Sequence, residues 1–434
     1  MTALDLTKIA TQRDMVRFFD GYSIERMEEL RERSKLKRPV VKTWLLEVLD
    51  GSRPVTSETI KLLLERRGLG VTRLEESLFR VTDPKEGDIG FLEPVGSRVV
   101  ALYSPMEADS LEKWARALVL STPELDHVWL SGLTFHVLWN VVQTTTHPAR
   151  FTRIGCAFES VFDPGTFGQR TPDGLPAEDD LLEEPDEDEF ESDHEGEDEE
   201  DLESIRERRS ATFRLVDRVG VIKERLSKLQ ALYSPLYAIS QLRFPSPVGR
   251  GGHDFYDDGH VTNKSSSFRD HRAHVIYVSQ VYEKLLRKTE EQTWYEVRES
   301  INAPGQLQRI VGAPVVIRFR EPLDRRVFSR WISTTFGSKP NRFRLWGHPI
   351  HLGPEKVQVY GLDRHLWQPL WLELTTTGCI AIVPSGTCGN TVHRLVRNVQ
   401  RYLDPGATAY IGNEPYIDLV QRSVEEVPYE AGLG

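Results

Sequence analysis

Apolar positions along this chain fall into short runs and helix-period stripes, and one arrangement of them occurs twice. From Val99 the chain reads VVALYSPMEADSLEKWARALVLSTPELDHVWLSG, and from Val315 it reads VVIRFREPLDRRVFSRWISTTFGSKPNRFRLWGH. Each block opens on an apolar run, meets a proline (Pro105, Pro322), continues as a helical pattern around a tryptophan (Trp114, Trp331) and ends in a second apolar run at Trp129 or Trp346. Phe151–Cys156 (FTRIGC) and Leu374–Cys379 (LTTTGC) then start strands that lead to glycine turns at Pro164–Gly168 and Ser385–Gly389. The pattern RLVxxV follows each turn, at Arg214–Val219 and Arg394–Val399, and reads as the start of a helix. Five matches in one order predict two related β-α-β-β-β-α modules.

The remaining pattern places these modules in the chain. Residues 1–76 read as helical. Met15, Val16, Phe18 and Phe19 form one apolar face, and Ile24, Met27 and Leu30 form the next, behind Ser23 as N-cap. Short apolar runs at Leu78–Val81, Ile89–Leu92 and Val99–Tyr103 predict a meander. A helix is expected over Met106–Leu120, with strands at Val128–Leu130, Phe135–Val142 and Phe151–Phe162. Helical patterns at Phe213–Leu242 and Phe268–Lys288 predict an antiparallel pair, joined by a long loop over Phe244–Ser267. In the second module strands are expected at Val315–Phe319, Arg342–Trp346, Val357–Tyr360 and Trp371–Val383, and helices at Pro322–Phe336 and Thr391–Leu403. The fold class is α+β: a helical domain (1–76), a first repeat (77–243) with an insertion at 170–208, a loop and linking helix (244–299), a second repeat (300–412) and a tail (413–434).

Within the first segment, Leu30, Leu36, Val41 and Trp44, followed by Gly51, Arg53, Pro54, Ile60, Leu63, Leu64 and Gly68, have a spacing that resembles the helix-turn-helix of Cro/repressor-type (XRE) DNA-binding domains. Lys35 stands where that family usually has a turn glycine, and Ser34 where it usually has an apolar residue. The resemblance covers under a sixth of the chain. It implies that Val41 and Trp44 lie on the buried face of a recognition helix. Arg38, Lys42 and Thr43 would face base edges, while Arg33, Lys35, Lys37 and Arg53 hold phosphates.

Charge sharpens this picture. The net charge is −11, but Glu178–Glu203 alone holds eighteen acidic side chains and no lysine or arginine, which leaves +7 for the rest. That segment interrupts the first repeat where the second needs only a few residues. Its composition predicts disorder, and either a solubilising loop or a polyanion mimic that occupies a basic surface. A mildly basic body is compatible with DNA or another polyanion. No run of eighteen apolar residues occurs and no apolar leader opens the chain, so a cytoplasmic protein without membrane contact is expected. Three cysteines without metal-ligand spacing fit a reducing compartment.

Candidate chemistry is sparse. His253, Asp257, His260, His271 and His274, with Asp254, Asp258 and Asp270 nearby, could hold a divalent metal and activate water for phosphodiester hydrolysis. The alternative is a solvated loop and a capped helix. Ser385, Gly386, Thr387 and Gly389 could aim backbone N–H groups at an anion, although no P-loop lysine follows. Cys156 and Cys379 read as small core residues, His348 and His351 as turn and strand residues, and Trp367 and Trp371 as packing or as a stacking surface. The expected function is a non-catalytic, DNA-binding regulatory or accessory protein without a cofactor. A metal-dependent phosphodiesterase and a protein-interaction scaffold are the alternatives.

Overall fold

The computed structural model describes residues 6–31, 39–49, 55–162, 210–300, 303–337 and 341–429, with backbone alone at 298–300 and 303–309. Among them are two large, mainly antiparallel sheets and a set of helices, an α+β architecture. No helix among the described residues is long and apolar enough to cross a membrane.

The first half starts with α1 (Gln12–Arg31), β1 (Lys42–Val48) and α2 (Ser57–Glu65). A meander follows: β2 (Gly70–Glu75), β3 (Leu78–Asp83), β4 (Gly87–Pro94) and β5 (Val99–Ser104). Next come α3 (Ala108–Ser121), β6 (Leu125–His127), α4 (Gly132–Thr145), β7 (Phe151–Glu159), β8 (Ser210–Arg218) and α5 (Val219–Leu232). Then β9 (Ile239–Pro245), β10 (Gly251–Tyr256) and β11 (His260–Ser265) complete a sheet of order β2-β3-β4-β5-β1-β11-β10-β9-β7-β8, with β6 also paired to β1. Helix α6 (Phe268–Thr293) crosses to the second half. There β12 (Trp294–Ser300) and β13 (Ala303–Val311) form a hairpin, followed by β14 (Val315–Arg318), α7 (Arg325–Thr335) and β15 (Leu345–Gly353). The chain continues through β16 (Lys356–Asp363), β17 (Gln368–Thr375), β18 (Gly378–Pro384), α8 (Asn390–Tyr402), β19 (Thr408–Ile411), β20 (Glu414–Pro415) and α9 (Tyr416–Glu425). The second sheet runs β15-β16-β17-β18-β14-β19-β20, with β12 joined to β18.

The segment 1–76 is not a separate helical domain. The stretch expected to be a recognition helix is β1, a central strand paired with β5 and β11. Pro39 and the β-branched Val40 and Val41 favour extended backbone. The strand is buried on both faces: Val41 and Leu45 join the main core, while Trp44, Leu46 and Val48 join a smaller core under α2 and α3. Burial on both faces erases the two-residue alternation, so the apolar spacing also fitted a helix.

The same ambiguity in reverse explains Phe135–Val142, expected as a strand but found in α4. This helix is buried nearly all round, and Ser131 caps it by accepting from Thr134 N. Residues 213–218 lie in β8, not a helix, whereas Arg394–Val399 does lie in α8, so this match between the two copies fails. Phe244–Ser267 is no long loop. Gly249 to Gly252 and the Asp258-Gly259 turn fold it into β10 and β11, and His253 to Phe255 and His260 to Ser265 are buried. The helices α5 and α6 are therefore separated by three strands and not joined by a loop, and α6 runs between the halves. The tail forms α9, which returns to pack on α4 and α6.

Trp44 is fully buried, and its indole N–H donates to His127 Nδ1 at 2.8 Å. Trp44→Ala should cost about 3–5 kcal/mol in urea unfolding. A loss under 1 kcal/mol would contradict the central-strand placement.

Candidate functional site

Two features stand out once the halves are together: a seam of buried charge between them, and a basic face on the first sheet. The seam starts at Asp126, just after Leu125 on β6. It is fully buried and accepts from Arg344 at 2.6 Å, from Arg394, from the His127 backbone at 2.9 Å and from the Trp129 indole at 3.2 Å. Burial alone would raise its carboxyl, but Arg344 and Arg394 outweigh that and hold it far below the usual range. Arg394 also pairs with Asp363 at 2.5 Å and donates to the Phe343 carbonyl at 3.0 Å.

Beside this grip lies a second knot. Glu47 on β1 pairs with Arg98, and its Oε2 lies 3.2 Å from His365 Nε2. Cys388 Sγ is 3.0 and 3.2 Å from the two Glu47 oxygens. Burial would raise Glu47, yet Arg98 and His365 keep it at about 2. Arg98 donates through Nη1 to Glu290 at 2.7 Å, and Glu290 in turn accepts from the Gly389 N–H at 3.0 Å. In the turn at Ser385–Gly389 it is the Gly389 N–H that meets this carboxyl group. Of the other residues expected to face an anion, Ser385 N donates to the Tyr295 carbonyl and Thr387 N to that of Pro384, while Gly386 takes a left-handed φ of 85°.

The DNA-contact residues divide. Arg33, Lys35, Lys37, Arg38 and Arg53 lie outside the described residues, as does the insertion at 170–208. Lys42 and Thr43 are buried in β1. Lys42 Nζ donates to the Met106 carbonyl, and the Thr43 hydroxyl meets His271 Nε2 at 2.7 Å. Neither is presented as on a recognition helix.

The proposed metal ligands do not gather as one set. His253 and His274 meet through their Nδ1 atoms at 2.7 Å, a proton-sharing distance, and His274 Nε2 bonds the Tyr429 hydroxyl at 2.7 Å. His271 lies beside His253 with ring centroids 5.3 Å apart. His260 instead stacks on Tyr256, and Asp257 pairs with Arg397 at 2.9 Å. Sequence spacing could not foresee this, because the sheet register sends alternate residues to opposite faces.

The basic face was not foreseen either. On β9 and β10, Arg243 grips Asp254 at 2.7 and 3.1 Å, with Lys264 at 3.4 Å and Arg153 at 3.7 Å. The register carries this row, which is buried throughout, through Thr262 to Lys42. Toward the sheet edge the same face presents exposed Arg214 and Arg218 on β8. It leads into a cleft of about 360 Å³ between the halves. Arg116, Arg214, Arg342, Arg397 and Arg401 line that cleft, with Glu112, Glu159, Asp257 and Asp258 among them. Arg401 and Arg342 reach Glu159, the latter at 3.4 Å, and Arg397 lies 5.1 Å from the Trp129 ring centre. The available signal was RLVRNVQR, which spaces Arg394, Arg397 and Arg401 along one helix face.

On the second sheet, Trp346, Tyr360 and Trp371 share the face turned from the core by register, Trp346 and Tyr360 being exposed. Trp367 is exposed in a left-handed turn. Cys156 and Cys379 are buried strand residues whose thiols burial pushes up to about 12. His348 and His351 lie exposed on β15.

A family model described as "MJECL33-like protein" matches residues 182–416, more than half of the chain, and the chain belongs to that family. No curated protein and no solved structure matches it.

Asp126→Asn removes the charge that Arg344 and Arg394 share, and should cost about 3–5 kcal/mol in denaturant unfolding. A second outcome concerns pH. Burial pushes His271 down to about 3 and His274 to about 4. A histidine depressed in the folded state stabilises fully above its unfolded value of about 6.5 and loses that contribution as pH falls toward its folded value. Stability should fall between pH 7 and pH 5 by about 1–2 kcal/mol per histidine, read as a lower melting temperature. His271→Gln should flatten the fall.

Proposed function

We propose that this member of the MJECL33-like protein family is a non-catalytic binding protein whose ligand is a polyanion, with DNA as the leading case. One observation carries the reading: the exposed Arg214 and Arg218 at the edge of the first sheet adjoin a cleft lined by five arginines, in a chain whose net charge is −11. Paired arginines lining a cleft suit phosphate groups, which replace carboxylates on a guanidinium with similar geometry. The binding surface in this reading is the sheet edge and cleft rather than a recognition helix. Arg214 and Arg218 make the outer contacts, and Arg116, Arg342 and Arg401 the inner ones. Twenty-one acidic residues, eighteen of them in 178–203, enter the sequence between Phe162 and Ser210, the two ends that flank this edge. The segment therefore competes for the same cations in this reading. The internal duplication belongs to the proposal as well: β5 and α3 correspond to β14 and α7, and the insertion marks where the copies diverged.

The test is binding of a labelled DNA duplex across a salt series. Wild type should bind with an affinity that falls steeply with salt. Arg214→Glu with Arg218→Glu should weaken binding and reduce the slope of log K against log salt by about two. Deleting residues 178–203 should raise affinity. No binding by the wild type and by the deletion variant at low salt would sink the reading. A slope that responds to Lys37→Ala and Arg38→Ala instead would move the surface to the segment before β1.

A further inference from the structure

We propose that Glu47, His365 and Cys388 form a site for one divalent metal ion of the zinc type, joining the two halves. The three come from distant parts of the chain: Glu47 from β1, His365 from the turn after β16 and Cys388 from the turn before α8. Each side chain is buried, and their ligand atoms all lie within 4.8 Å of one another, the one such set of three among the described residues. Cys388 Sγ stands 3.0 and 3.2 Å from the Glu47 oxygens, and His365 Nε2 stands 3.2 Å from Oε2. Zinc bonds of about 2.0 Å to nitrogen and oxygen and about 2.3 Å to sulfur, at tetrahedral angles, set ligand atoms roughly 3.3–3.5 Å apart. The contacts made by Glu47 are within a few tenths of an ångström of that spacing.

The orientation of His365 is a second, independent observation. Its Nδ1 lies 2.8 Å from the carbonyl oxygen of Pro123, which can only accept, so Nδ1 carries a proton. Its Nε2 is buried and aimed at the Glu47 carboxylate, 3.2 Å from Oε2. An imidazole fixed by a carbonyl at one nitrogen, with the other aimed at anionic donors, is the arrangement of a metal-ligating histidine. Between Nε2 and the Glu47 carboxylate a cation has to sit, either a proton or a metal.

The exchange balances in charge. Without metal, a Glu47 carboxylate, a His365 imidazolium and a Cys388 thiol sum to zero. With metal, the ion displaces the imidazolium proton and the thiol proton to solvent. A carboxylate, a neutral imidazole, a thiolate and a dication again sum to zero. A buried site tolerates such a swap because no net charge enters it. Arg98 touches Glu47 and Cys388 through Nη2, but its Nη1 is held by Glu290 at 2.7 and 2.9 Å, so it stays paired when those contacts give way. Among the described residues, Cys156 and Cys379 belong to no such group of three.

Full-length protein, stripped with a chelator and titrated with Co²⁺, tests this. One ion per chain is expected, with a sulfur-to-cobalt charge-transfer band, and affinity rising by up to about a hundredfold per pH unit as two protons leave. Cys388→Ser should abolish the band and lower affinity at least tenfold, while Cys379→Ser should leave both unchanged. If Cys388→Ser fails to fold, X-ray absorption of the wild-type cobalt protein decides, with one sulfur in the first coordination sphere expected. Absence of stoichiometric uptake by the wild type, a sphere of nitrogen and oxygen alone, or a band that survives in Cys388→Ser would each overturn the assignment.

Discussion

Asp126 is the constraint on which the rest of the molecule depends. One buried carboxylate from the first half accepts from two guanidiniums of the second, Arg344 and Arg394. Such a pair forms only when both partners are in place, because either side alone would bury an uncompensated charge. The halves are therefore not independent bodies that happen to touch. Arg344 shows how closely the backbone is fitted to this requirement. It takes a left-handed φ of 53° and donates to the carbonyls of Leu125 and Val119 as well as to Asp126. A bulky residue holds that conformation only where its surroundings over-determine it.

Around this grip the seam is polar where a domain core is ordinarily apolar. Helix α8 is buried along nearly its whole length, yet it carries Asn390, Thr391, His393, Arg394, Arg397, Asn398 and Gln400. Each finds a partner: Asn390 donates to the His127 carbonyl, Thr391 meets Asp363, His393 meets the Tyr416 hydroxyl, Asn398 donates to the Arg342 carbonyl, and Gln400 accepts from the Gly132 N–H. Networks of this kind add little net stability over an apolar core but specify one arrangement, since any other leaves buried groups unpaired.

How much of this the sequence disclosed depends on what set each element. The second half was legible in part, although Trp371–Val383, expected as one strand, is the hairpin of β17 and β18, and the β12–β13 hairpin was not foreseen. Its strands have one face on the core and one turned away, so β16 and β17 alternate in burial and keep the two-residue period. The α+β class and the helices at Ala108–Ser121, Phe268–Thr293 and Asn390–Tyr402 followed from their periodicity. Elements buried on all sides were not legible, and β1 and α4 exchanged identities for that reason. The candidate site was nearly invisible. Asp126 and Glu47 are single charges beside apolar runs, and Arg344, Arg394, His365 and Cys388, which meet them, lie more than two hundred residues away. His365 and Cys388 share no motif with Glu47; only the packing of the halves brings the three together.

Helix α8 ties these features into one rigid element. Cys388 and Gly389 stand at its N-terminus, against Glu47 and Glu290. Arg394 meets Asp126 one turn further on. Arg397 and Arg401 emerge at the far end into the cleft, on Asp257 and Glu159. At 1.5 Å per residue, the span from Gly389 to Arg401 is about 18 Å. All three sets of contacts hold the same helix against the same half of the chain, so none can loosen without altering the geometry offered to the others. The charges that close the seam and those that line the cleft form one continuous system, and the shape of the cleft is set by how firmly the seam is closed.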